Sequence, residues 1–358
     1  MPSFFERKPW LRHLFGFLIL TAMIMVAVAI KEKDIAKTSG AQNLEATYHA
    51  LLTIESLRQN EIRDHWLLPT VTLGQENDAF ISWGATVPTR SGDYIYTSFT
   101  PPGFLLPYVA FKTFHLKATV KNLARFNMVI GAAVAVALYF FIVRLILHSG
   151  ASFYLATMAA LVGISVALFS REALLSTGII YWPHSIYQLL FIASLWLLFN
   201  TLKFGLNHKT GILNSKVLLL LLFLGAWTEW TGYVFNLGLV CILWFKTDKP
   251  ELKRFTLKII FVSAAAGFIT LFHYGLAVGF HESLNAFAGR FFARSTQRGS
   301  IIELIGGYGL SYGVFLMIAL MVVMRGYLFG TGIACSKQQT ANSKQQSYLW
   351  SCSLQLSH

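Results

Sequence analysis

Nine carboxylates fall between residues 31 and 126 of this 358-residue chain: Glu32, Asp34, Glu45, Glu55, Glu61, Asp64, Glu76, Asp78 and Asp93. A general base must be a carboxylate or imidazole held within hydrogen-bond reach of the group it deprotonates, so each is a formal candidate. Glu45 sits in "LEATY" with Tyr48, and Asp64 sits beside Trp66 in "RDHWLLP". Tyr94, Tyr96, Pro101 and Pro102 belong to "YIYTSFTPPG", an aromatic patch among turn-forming residues. Far downstream, Arg290, Arg294 and Arg298 recur at i, i+4 and i+8, one face of a helix. Guanidinium forks suit phosphate oxygens.

Each of these has a plainer reading. Glu45 fits the wet side of an amphipathic helix, Tyr48 fits simple packing, and Asp64 fits a helix cap. The tyrosines and prolines fit an interfacial aromatic belt, and the arginine row fits lipid head groups. His184 and Glu229 fall near the outer ends of apolar runs, where a functional role and a structural hydrogen bond are both open.

The elements that must position these residues are membrane helices. The chain is 55% hydrophobic and only 13% charged, with mean hydropathy +0.56, against about 25% charged residues in a soluble domain. Apolar runs at 14–30, 127–147, 152–170, 179–202, 217–229, 232–245, 257–278 and 302–324 predict about eight crossings, an all-α polytopic membrane protein. The run at 14–30 follows Arg7, Lys8 and Arg12 and is read as a retained first span, not a signal peptide. The net charge of +13 is spread over short inter-span segments such as "FKTDKPELKRF" and "KFGLNHKTGILNSK", which argues against nucleic acid and for lipid contact. The bias places the N-terminus in the cytoplasm. Three cysteines, one of them (Cys241) inside an apolar run, give neither an even set nor metal-ligand spacing.

Residues 1–330 then form a single transmembrane domain, with 31–126 as a long outer loop and 331–358 as a polar tail rich in Ser and Gln. Within the loop, Leu44, Tyr48, Leu51 and Ile54 recur at helical spacing, which predicts a helix lying on the membrane surface. The segment from Gly103, short and interrupted by Pro107, is read as re-entrant or interfacial. The break "WTEWTGY" predicts a tight hairpin with Glu229 at the outer surface.

The order of these segments resembles the GT-C class of glycosyltransferases that use polyprenyl-phosphate sugars, and within it the aminoarabinose transferases and protein O-mannosyltransferases. "LEATY" is similar to their D-E-x-R-Y element after the first span, and "RDHWLLP" to G-D-W-x-x-P. "YIYTSFTPPGFLLPY" is similar to their aromatic K-P-P or H-P-P element. Arg125 in "LARFNMVIGAAVAVALYFFIVRL" resembles an arginine opening the next helix, and "LFLGAWTEWTGYVFNLGLVCILWF" resembles a hairpin broken at a turn. Leu44 stands where that pattern has its first acid, leaving Glu45 as the nearest carboxylate, and Thr100 stands where it has a lysine.

The resemblance implies an inverting transfer of a sugar from a polyprenyl-phosphate donor to a lipid A, glycan or protein acceptor at the outer face of a bacterial inner membrane. It implies Glu45 or Asp64 as the base and Thr100, Arg125, Arg290, Arg294 and Arg298 around the donor phosphate. Tyr48, Tyr94, Tyr96, Pro101, Pro102 and Glu229 would position substrate. The resemblance fixes no cofactor, and a divalent metal is left open. A transporter or flippase of lipid-linked saccharides, or an O-antigen ligase or polymerase, is the competing reading. The one broken hairpin and the concentration of polar residues in one loop favour the enzyme over the transporter.

Overall fold

The computed structural model describes residues 9–37, 44–73, 86–89, 92–205, 209–246 and 248–296, with isolated positions beyond 300. The chain divides into two compact units, Met1–Arg298 and Gly299–His358, and the site lies in the first. The described residues form twelve helices and one two-stranded hairpin. Helix α1 is Pro9–Lys37, followed by α2 (Glu45–Gln59), α3 (Ile62–His65), the antiparallel strands β1 (Thr86–Pro88) and β2 (Tyr94–Tyr96), and α4 (Pro102–Thr113). Then come α5 (Val120–His148), α6 (Phe153–Phe169), α7 (Arg171–Ser176), α8 (His184–Phe204) and α9 (Lys209–Thr228). The series ends with α10 (Trp230–Phe245), α11 (Pro250–Val278) and α12 (Phe280–Thr296).

Five helices are long and apolar enough to cross a membrane: Leu14–Ile35, Val120–His148, His184–Lys203, Lys209–Thr228 and Pro250–Val278. Two shorter apolar helices, Phe153–Phe169 and Trp230–Phe245, match two further expected spans. The expected span at 302–324 lies outside the continuously described residues. Val129, Val234, Phe261 and Phe268 are exposed on these helices, a surface suited to lipid rather than water.

Several boundaries differ from the apolar runs for local reasons. Helix α5 starts seven residues earlier than the run at 127, because the Thr119 hydroxyl accepts a hydrogen bond from the Asn122 amide and caps it. Arg125 therefore lies inside the helix. Helix α8 starts at His184 rather than 179, after Pro183. Helix α11 starts at Pro250, in the first turn where a proline costs no hydrogen bond.

Among the described residues four buried apolar clusters hold the fold, two of them built from the spanning helices alone. Leu20, Ala27, Ala135, Tyr139, Ala160 and Ile164 join α1, α5 and α6, while Leu218, Leu222, Leu239 and Ile259 join α9, α10 and α11. At the α9–α10 break a Cβ on Gly232 would lie 2.5 Å from the Gly225 backbone, so the hairpin closes only with glycine there.

Because successive spans alternate in direction, the two ends of the bundle carry different material. One end has short turns flanked by Lys203, Lys209, Lys246 and Lys249. The other carries α2 to α4, the β-hairpin, α7, the α9–α10 turn and α12. The helix expected on the membrane surface, α2, is packed into protein at that end. Its buried face is Ala46, Thr47, His49, Ala50, Thr53, Ile54 and Leu57, and Tyr48 points away with 55% exposure. Small and hydroxyl-bearing residues join Leu44 and Ile54 of the apolar stripe in the close contact, and Thr47 Oγ1 donates to the Ile179 carbonyl and accepts from the Tyr181 amide.

Candidate functional site

The segment from Tyr96 to Gly103, running from the end of β2 into the start of α4, is anchored by four side chains from other parts of the chain. Tyr274 Oη of α11 donates to the Tyr96 and Phe99 carbonyls at 3.0 and 3.1 Å. Trp230 Nε1 of α10 donates to the Ser98 carbonyl at 2.9 Å, and Arg290 Nε of α12 donates to Ser98 Oγ at 2.9 Å. Tyr181 Oη donates to the Gly103 carbonyl. Burial holds that phenol far above its ordinary range, so it remains a donor. Gly103 is required because a Cβ there would meet Pro183 at 2.4 Å. Pro101 and Pro102 begin α4 where missing amides cost nothing.

Beside this segment lies a cleft of about 850 Å³, within the range of ligand sites. Its walls are Trp230, Tyr233, Val234, Phe287, Phe291 and Phe292, and its polar edge is Thr97, Ser98 and Arg290. The Trp230 indole stacks on Tyr233 at 5.8 Å and meets Phe287 edge-on at 5.8 Å. Phe291, Phe292 and Val234 are exposed, so the apolar wall continues onto the outer surface of α10 and α12. A half-buried cation at one edge of an apolar groove fits an amphiphile with an anionic head.

No protein-family model matches this chain, and no curated protein matches it significantly. The site is therefore characterised by its own geometry.

Next to the cleft, Glu229 occupies the extended residue between α9 and α10 and is 3% exposed. Its Oε2 lies 3.0 Å from His184 Nδ1 at the first turn of α8, a close ion-pair approach without the alignment of a directed hydrogen bond. The His184 side chain is 49% exposed, and its ring packs edge-on against Phe99 at 5.3 Å. Phe99 in turn lies 4.7 Å from Trp182. His184 and Glu229 each stood out singly in the sequence. Their pairing across 45 residues did not.

The structure brings together Tyr96, Thr100, Pro101, Pro102, Glu229 and Arg290 around this one segment. Tyr94 is half-buried on the adjoining strand. Thr100 is 1% exposed and its hydroxyl has no hydrogen-bond partner, so the position that the resemblance gives to a phosphate-facing lysine is an enclosed neutral group. Arg294 is on the same helix as Arg290, and Arg298 lies outside the described residues.

Glu45 is exposed in the first turn of α2 and Asp64 is half-buried in the short α3, 3.9 Å from Arg63; neither lines the cleft. Arg125 is engaged elsewhere, with Nε 2.7 Å from Glu32 Oε1. Among the described residues no group of three or more His, Cys, Asp or Glu could hold a metal ion.

The donors Tyr274, Trp230 and Tyr181 were missed in the sequence. Tyrosine and tryptophan carry polar tips on apolar bodies, and in an apolar run such a tip calls for a partner.

Proposed function

We propose that this protein is a membrane glycosyltransferase of the GT-C kind, which moves a sugar from a polyprenyl-phosphate carrier to a lipid, glycan or protein acceptor. The observation that carries the reading is the cleft: a long apolar wall with the cation of Arg290 at its edge, fixed to Ser98 of the aromatic segment. A polyprenyl chain matches the wall, and its phosphate matches the guanidinium. In the transfer an acceptor hydroxyl attacks the anomeric carbon on the face opposite the phosphate, and Arg290 stabilises the charge that accumulates on the leaving oxygen.

The positive-inside bias supports a cytoplasmic N-terminus and a site on the far side of the membrane. The resemblance supplies Glu45 or Asp64 as base. An assay of the protein in proteoliposomes with polyprenyl-phosphate mannose and polyprenyl-phosphate aminoarabinose tests the reading, with Glu45→Gln and Asp64→Asn alongside wild type. Consumption of a lipid-linked sugar by wild type is expected. A wild-type protein that consumes neither donor with lipid, glycan and protein acceptors supplied sinks it. Movement of intact donor across the bilayer without sugar transfer would instead favour a flippase.

A further inference from the structure

The proposed transfer needs a base for the acceptor hydroxyl; neither Glu45 nor Asp64 lines the cleft or stands next to a residue that does, whereas Glu229 directly precedes Trp230 of its wall. We infer that His184, paired with the buried carboxylate of Glu229, is that base. The inference rests on the transferase reading above. The two residues come from separate elements, the first turn of α8 and the α9–α10 break, and meet at 3.0 Å between Nδ1 and Oε2. Burial divides their roles. Glu229, 3% exposed, is shielded from an acceptor, whereas the imidazole has its Nδ1 toward the carboxylate and about half its side-chain surface open. A carboxylate this close to the ring stabilises the imidazolium that forms when Nε2 takes a proton.

Neither His184 nor Glu229 lines the donor cleft, but each is linked to a residue that does. Glu229 directly precedes Trp230, which forms one wall, and His184 packs against Phe99, which directly follows Ser98. The Glu229–Trp230 step therefore joins the base to the apolar wall, and the Ser98–Phe99 step joins it to the edge where Arg290 is fixed.

The step balances without a further reactant. The hydroxyl proton passes to His184 Nε2 while the oxygen lone pair forms the new bond to the anomeric carbon. The bond from that carbon to the carrier phosphate breaks, its electron pair stays on the phosphate oxygen, and the imidazolium later releases its proton to water. His184 is then a catalytic residue and Glu229 a positioning residue.

The test is turnover of polyprenyl-phosphate mannose or aminoarabinose, whichever wild type consumes, in proteoliposomes. His184→Ala is expected to lower kcat by about 100-fold or more, with the donor KM unchanged within about twofold. Added imidazole is expected to restore part of that loss. Glu229→Gln is expected to lower kcat by about 10-fold or more, and Glu229→Asp to regain part of it. Wild-type turnover in His184→Ala overturns the inference. So does a loss that imidazole leaves untouched and that comes with weakened binding of the carrier phosphate, since that pattern marks a structural contact. Wild-type inactivity is a different outcome, because it removes the transferase reading itself before any variant is compared.

Discussion

Two sets of polar contacts fix irregular stretches at one end of the bundle, and they are built differently. Around Asn127 the polar groups are consumed by the fold. Its Nδ2 donates to the Ser176, Gly178 and Ile180 carbonyls at 2.8, 2.9 and 3.0 Å, while Lys31 Nζ donates to Thr177 Oγ1 at 2.7 Å nearby. Around Ser98 the contacts also fix a backbone, but they border an open cleft and leave an imidazole accessible. One amide satisfying three carbonyls holds an irregular turn in place with no space left over. The Ser98 set spends its donors on the side facing the protein and presents chemistry on the other. Rigid scaffold and candidate site thus sit at the same end of the bundle, and substitutions should separate them.

The largest effect is expected at Asn127, which is fully buried. Its two amide hydrogens serve three carbonyls, so Asn127→Leu leaves buried acceptors without donors. A loss of about 3–5 kcal/mol is expected, read as a fall of several degrees in thermal unfolding in detergent. Unchanged unfolding would show that the 176–180 turn holds itself.

The next effect is a pH dependence in the same scaffold. His49 is enclosed by Tyr96, Phe104 and Trp182, with the Tyr96 ring 4.0 Å away. Burial pushes its pKa down to about 4 from the ordinary value near 6.5. The folded state therefore resists the proton that the unfolded chain accepts. Stability from this source is complete above about pH 6.5, erodes as pH falls below it, and is lost by about pH 4, a change of about 3 kcal/mol. His65 is shifted the same way by its own burial and adds to the slope. His49→Leu is expected to flatten the profile between pH 4 and 6.5 relative to wild type, measured by unfolding at fixed temperature. Parallel profiles would show that the imidazole is not held neutral.

At the cleft the effect shifts from stability to binding. Arg290→Gln keeps a donor within reach of Ser98 but removes the charge. Binding of polyprenyl phosphate is expected to weaken about 30-fold, equivalent to about 2 kcal/mol, with unfolding nearly unchanged. Binding that is indifferent to Arg290 would leave the cleft as a merely apolar groove.

The contrast between scaffold and site also explains what the sequence could and could not reveal. Apolar runs located the spans because lipid imposes a length, and the arginine at 290 stood out because helical spacing is local. The buried face of α2 extends beyond Leu44 and Ile54 of the apolar stripe to Ala46, Thr47, Ala50 and Thr53, whose small size and hydroxyls allow the close packing seen. His184 with Glu229, Arg290 with Ser98 and Tyr274 with Phe99 are pairings across 45 to 192 residues. Nothing in local periodicity encodes such pairings; they follow from how the spans alternate and pack.

The smallest effect is expected at Arg125, where the resemblance to known transferases and the structure pull in different directions. A donor-phosphate role would make Arg125→Gln weaken polyprenyl phosphate binding as Arg290→Gln does. In the structure Arg125 is half exposed and its guanidinium meets both oxygens of Glu32, at 2.7 and 3.4 Å. An exposed pair of this kind is screened by solvent and salt, so its removal is expected to leave thermal unfolding within error of wild type. Carrier binding is expected to be unchanged as well, because Glu32 already occupies the guanidinium and Arg125 does not line the cleft. Glu32→Gln is the sharper test, because it frees the arginine without deleting it. If that variant alone binds polyprenyl phosphate more tightly, Arg125 is a donor contact held in check by Glu32, and the boundary drawn between scaffold and site must move to include it.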